Sequence, residues 1–80
     1  MKIGQVIRMR RRAASMTLEA LAAQAGTDAA GLSRIERGLQ GYTPEGLAAI
    51  AAALGCTSAS LMAEAEESDA STGRAVNDEQ

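Results

Sequence analysis

Leu18-Glu19-Ala20-Leu21-Ala22-Ala23-Gln24-Ala25-Gly26-Thr27-Asp28-Ala29-Ala30-Gly31-Leu32-Ser33-Arg34-Ile35-Glu36-Arg37-Gly38 is the stretch from which the fold can be read. It predicts two short helices joined by a tight glycine turn. Ala22 is small enough to let two helices cross closely at a steep angle. Gly26 accepts the positive φ that a sharp helix exit needs. Leu32 is branched and apolar, and closes the corner from the second helix. Together these three positions have the spacing of a helix-turn-helix.

The flanking residues sharpen both helices. Thr17 is placed to cap the first, with Glu19 in its opening turn, where the helix dipole favours an acid. Leu18, Leu21, Ala22 and Ala25 then point inward. Asp28 caps the next helix, which ends near Arg37 with Gly38 as its stop. Leu32 and Ile35 face the core, while Ala29, Ala30, Ser33, Arg34 and Arg37 share the other side. Upstream, Ile3, Val6 and Ile7 form the apolar stripe of a helix from Lys2 to about Ala14. Arg8, Arg10, Arg11 and Arg12 ride on it. At about 100° per residue they cannot all face one surface.

Downstream, the linker Leu39-Gln40-Gly41-Tyr42 leads to Thr43-Pro44-Glu45, a threonine cap with proline at the first helical position. Leu47, Ile50, Ala51 and Leu54 keep helical spacing until Gly55. Thr57 or Ser58 caps a short fifth helix containing Leu61 and Met62. From position 66 to 80 the chain is acidic and polar with almost no apolar residues. It reads as a disordered tail or linker, leaving residues 1–65 as one domain. No internal repeat is present.

Composition agrees with an all-α class. Alanine is abundant, β-branched residues are few, and one aromatic ring occurs, Tyr42. An 80-residue chain buries a modest core. No run of about 18 apolar residues suggests a membrane span, and no apolar stretch follows the basic N-terminus to make a secretory signal. One cysteine, Cys56, cannot form an internal disulfide, which fits a reducing cytoplasm; it reads as a small packed hydrophobe. The net charge of −2 hides an uneven distribution. From Glu64 onward six acids face a single arginine, Arg74, whereas Met1 to Ala63 carries an excess of three positive charges. A basic body with an acidic tail is compatible with a phosphate-bearing partner, because the local field steers an anion.

The chain resembles the Cro/CI-type helix-turn-helix family, which includes lambdoid phage repressors and many small bacterial regulators. The resemblance is carried by Ile3-Gly4, Ile7, Arg11, Thr17-Leu18-Glu19, Leu21-Ala22, Gly26, Leu32-Ser33-Arg34-Ile35-Glu36-Arg37-Gly38, Leu47-Ala48-Ala49-Ile50-Ala51 and Leu54-Gly55. It spans about Ile3 to Met62. It implies a compact five-helix, lambda-repressor-like domain that binds double-stranded operator DNA as a homodimer and represses transcription, in a bacterial or phage setting. By the same resemblance Ala29, Ala30, Ser33 and Arg34 fall where relatives face base edges. Thr17, Leu18 and Arg37 fall where relatives approach phosphate, and further phosphate contacts are expected from Gln40, Tyr42 or Thr43. Arg11 and Glu36 match a buried ion pair joining the first helix to the end of the third.

The departures from the family pattern are informative. Ala29 and Ala30 stand where many relatives carry glutamine, arginine or serine. Alanine can touch a thymine methyl but cannot hydrogen-bond a base, so base reading falls on Arg34 with help from Ser33. Arg34 can grip guanine O6 and N7, a contact worth about 1–3 kcal/mol of discrimination; the bland alternative is a solvated arginine. Arg37 reads as a phosphate contact or as a helix-end cation. Arg8, Arg10 and Arg12 read as solvated. Met62 and the outer face of the fifth helix are a candidate dimer contact.

No histidine, nucleophile setting or phosphate-binding loop is present, so no enzyme, metal or cofactor is expected. The alternative function is an antitoxin-like or adaptor module whose main ligand is a protein. A toxin partner, or a C-terminal domain beyond the polar tail, is compatible with either reading.

Overall fold

The computed structural model describes the backbone of residues 1–77 and the side chains of residues 1–67. Five helices follow in chain order: α1 (Ile3–Ala13), α2 (Leu18–Ala25), α3 (Ala29–Glu36), α4 (Pro44–Ala53) and α5 (Ser58–Asn77). No strand occurs among the described residues.

Local chemistry sets where α2, α3, α4 and α5 begin. Thr17 Oγ1 accepts the Ala20 amide at 3.0 Å, Asp28 Oδ1 the Gly31 amide at 2.9 Å, and Thr43 Oγ1 the Gly46 amide at 2.9 Å. Thr57 caps α5 through the Ser60 amide at 3.1 Å. Each cap satisfies one of the orphan N–H groups of a first turn, worth about 1 kcal/mol.

The helix ends share a second device. After α1, α2, α3 and α4 the chain turns through one left-handed residue: Ser15, Gly26, Gly38 and Gly55 respectively. The amide beyond that residue reaches back to a carbonyl of the last turn, as Met16 N–H does to Arg11 O at 3.0 Å and Thr27 N–H to Ala22 O at 2.9 Å. Leu39 to Arg34 and Cys56 to Ala51 repeat it at 2.8 and 2.9 Å. This is the Schellman closure, which returns an orphan carbonyl to a partner. Glycine fills three of the four left-handed positions, and Ser15, at φ 58°, fills the fourth.

The core is aliphatic. Val6, Ile7, Leu21, Ala22, Leu32, Ile35, Leu47, Ile50, Ala51, Leu61 and Ala65 are buried, with Ile3, Met16, Leu18, Ala29, Leu54 and Cys56 half-buried against them. α2 packs on α3 and α4, α1 on α3 and α5, and α4 on α5. Ala22 is only 2% exposed and Leu32 is fully covered, so the corner closes as the spacing requires.

Gly4 marks the tightest approach. A Cβ there would fall onto the Ile35 carbonyl oxygen and 2.7 Å from that of Glu36. The start of α1 therefore lies directly against the end of α3.

One element differs from expectation. The fifth helix is not short but continues to Asn77. Alanine and glutamate, good helix formers, support it as far as Glu67, and no glycine or proline interrupts the run before Gly73. Positions 78–80 of the expected tail lie outside the described residues.

Candidate nucleic-acid interface

α3 is positioned from both sides. Leu32 and Ile35 anchor its inner face, and Asp28 caps its start. Gly31 makes that cap fit: a Cβ there would stand 2.6 Å from Asp28 Oδ1. The outer face presents Ala30, Arg34 and Arg37, all exposed, with Ser33 half-buried. Ala29 is half-buried against the core, so of the two alanines Ala30 is the better exposed.

On one flank of this face lies the α3–α4 linker. Arg34 Nε donates to Gln40 Oε1 at 2.7 Å, which aims the guanidinium from its base. Tyr42, 39% exposed, borders a hollow lined also by Ala25, Ile35 and Ile50. Thr43 is exposed while its oxygen caps α4.

On the other flank stand α1 and the start of α2. Thr17 is exposed, and its hydroxyl can still donate while it caps. Leu18 and Ser33 line one surface depression together with Arg8, Arg12 and Arg37. Beneath it Arg11 and Glu36 form a buried bidentate pair, 9% and 6% exposed. Arg11 Nε reaches Glu36 Oε2 at 2.7 Å and Nη2 reaches Oε1 at 3.1 Å, while Nη1 donates to Met16 O at 2.9 Å. The hydrogen bonds that Arg11 donates to Glu36 hold the Arg11 pKa above its ordinary value, against the cost of burial. The pair ties α1, the α1–α2 turn and the end of α3 to one another, and so fixes the angle of the outer face.

The family shows in the sequence as well. The pattern that defines the family described as "Helix-turn-helix domain" matches residues 2–65. The chain belongs to the helix-turn-helix family. Solved structures of this family's regulators share its shape. The clp gene regulator ClgR from Corynebacterium glutamicum is 31% identical with a TM-score of 0.84, covering 94% of this chain and 80% of that one. The DNA-binding domain of the P22 C2 repressor is 29% identical with a TM-score of 0.75, covering 78% and 82%. SinR, a master regulator for biofilm formation solved in complex with DNA, is 34% identical with a TM-score of 0.72, covering 76% and 98%. No curated protein matches the chain in sequence. As a helix-turn-helix domain it is of the all-α, five-helix kind, and the family is one of DNA-binding transcriptional regulators. No single helix among the described residues is long and apolar enough to cross a membrane. No metal-holding cluster of histidine, cysteine and acids occurs among them.

Two features of this helix-turn-helix site were not in the sequence reading. The Arg34–Gln40 bond joins a base-facing candidate to a linker residue expected at phosphate; the spacing of six gives no helical cue because the chain reverses at Gly38. The arginines of α1 are not uniformly solvated. Arg10 turns away to α5 and donates to Glu64 Oε1 at 2.8 Å, which raises its pKa. Arg8 and Arg12, one turn apart, instead share the depression beside Arg37.

Proposed function

We propose that this helix-turn-helix protein is a sequence-specific repressor that binds a palindromic operator as a homodimer, with α3 lying in the major groove. The observation that carries the proposal is the exposure of Ala30, Arg34 and Arg37 on a helix whose opposite face is locked into the core. Arg34 reads a guanine through its Nη groups while Gln40 holds its Nε. Ser33 assists it, and Ala30, with Ala29 behind it, offers a methyl surface to thymine. The amides at the start of α2, with Thr17 and Leu18, meet backbone phosphate. Arg37, Gln40, Tyr42 and Thr43 complete the phosphate contacts on either side of the groove. Met62, exposed on α5, contributes to the dimer contact. The protein acts on DNA in the cytoplasm and needs no cofactor.

Selection of bound sequences from random duplex DNA, with sedimentation equilibrium in parallel, tests this reading. An enriched inverted repeat and a dimeric species are expected. No enriched motif would overturn it.

A second reading, an antitoxin-like or adaptor module with a protein as main ligand, is favoured by one observation. With Ala29 half-buried and Ala30 lacking a polar group, few side chains on α3 can hydrogen-bond a base. A monomer with no sequence preference in the same experiment supports that reading.

A further inference from the structure

We propose that Arg8 and Arg12 of α1, with Arg37 at the end of α3, form a seat for a DNA phosphodiester on the α1–α2 side of the recognition helix. The seat rests on the DNA-binding reading above and adds to it two residues of α1.

The three arginines come from two elements and are all exposed. They line one depression, with Leu18 and Ser33 between them and the Arg11–Glu36 pair below. Among the described residues neither Arg8 nor Arg12 has a carboxylate partner. Glu36, the acid lining the depression, already accepts two N–H bonds from Arg11. Glu19 adds a negative field that Arg11 feels but makes no ion pair. Three exposed arginines therefore line one depression whose acid is already paired with Arg11, an arrangement that favours an anion from outside.

The depression also opens beside the first turn of α2. There Thr17 Oγ1 takes the Ala20 amide, and the amides of Leu18 and Glu19 have no acceptor among the described residues. Unpaired amides at a helix start attract anions in the same direction as the arginines. A planar guanidinium fork matches the paired oxygens of a phosphodiester. The strand so held would pass on the opposite side of α3 from the Gln40–Thr43 linker, as the two walls of a major groove require.

The test is the salt dependence of binding to a random-sequence duplex, read by fluorescence anisotropy. Each phosphate contact contributes close to one unit to the slope of log K against log salt. The doubly substituted Arg8→Gln/Arg12→Gln chain is expected to lose about one unit of slope for each copy bound, the one phosphate that the seat holds. The Arg8→Lys/Arg12→Lys chain keeps most of it. Arg10→Gln, a charge removed on the far side of α1, leaves it unchanged. A Gln/Gln chain with the parent's slope overturns the seat alone, as does an Arg10→Gln chain that loses as much per charge. A parent chain that binds no duplex at low salt overturns the DNA-binding reading, and the seat with it.

Discussion

Ser15 holds a left-handed backbone at a position that glycine fills after α2, α3 and α4. An L side chain there costs about 1 kcal/mol, so Ser15→Gly is expected to stabilise the domain by roughly 0.5–1 kcal/mol on urea unfolding. A loss of stability would show that the Ser15 side chain has a compensating contact. Gly4 behaves oppositely. The groups in the way of a Cβ are backbone carbonyls of Ile35 and Glu36, which cannot rotate aside. Gly4→Ala is therefore expected to cost about 1–3 kcal/mol, although alanine is the better helix former. Arg11 and Glu36 are buried as a pair, so removing either strands a charge. Glu36→Ala is expected to destabilise by about 3–5 kcal/mol, and a change below about 1 kcal/mol in denaturant unfolding would contradict the burial. Glu64→Gln, at a half-exposed pair, is expected to cost under about 1 kcal/mol.

At the scale of elements, α3 and its linker act as one reading unit. Gln40→Ala frees the Arg34 guanidinium from its 2.7 Å tether without removing it. Discrimination at the base pair read by Arg34 is expected to fall in Gln40→Ala, and to fall further, by about 1–3 kcal/mol in all, in Arg34→Ala. Additive losses in the double variant, measured across operator variants, would show that Gln40 acts independently of Arg34. Most helix boundaries were legible in the sequence because their causes are local. Thr17, Asp28 and Thr43 as caps, and Gly26, Gly38 and Gly55 as stops, work within one turn of the residue itself. Gly4 belongs to the family pattern, but the physical reason for it lies 31 residues away at Ile35 and no local signal carries it. The split of the α1 arginines was half legible. Helical angles predict that they diverge, but which side α5 covers depends on packing that only the folded chain shows. The length of α5 was not legible, because past Glu67 the local propensities of serine, aspartate, threonine and glycine argue against the helix that runs on to Asn77.

For the whole molecule, stability rests on few side chains. Among the described residues seven large side chains are essentially sealed from solvent, Leu21, Leu32, Leu47 and Leu61 among them. A truncation such as Leu47→Ala removes about 2–5 kcal/mol from a total that for small domains is about 5–15 kcal/mol. If two copies pair as proposed, their α3 helices should stand about 34 Å apart, so the selected half-sites should be centred one helical turn apart. Half-sites at a fixed spacing that is not a whole number of turns would rule out that arrangement. The single aromatic ring of the chain, Tyr42, sits on the linker rather than among the aliphatic side chains of the interior. A flat near-ultraviolet dichroism spectrum is then the expected signature of the fully native protein, where in most proteins it signals a molten globule. Tyrosine emission, for its part, will report what approaches the linker and hardly register whether the interior is packed.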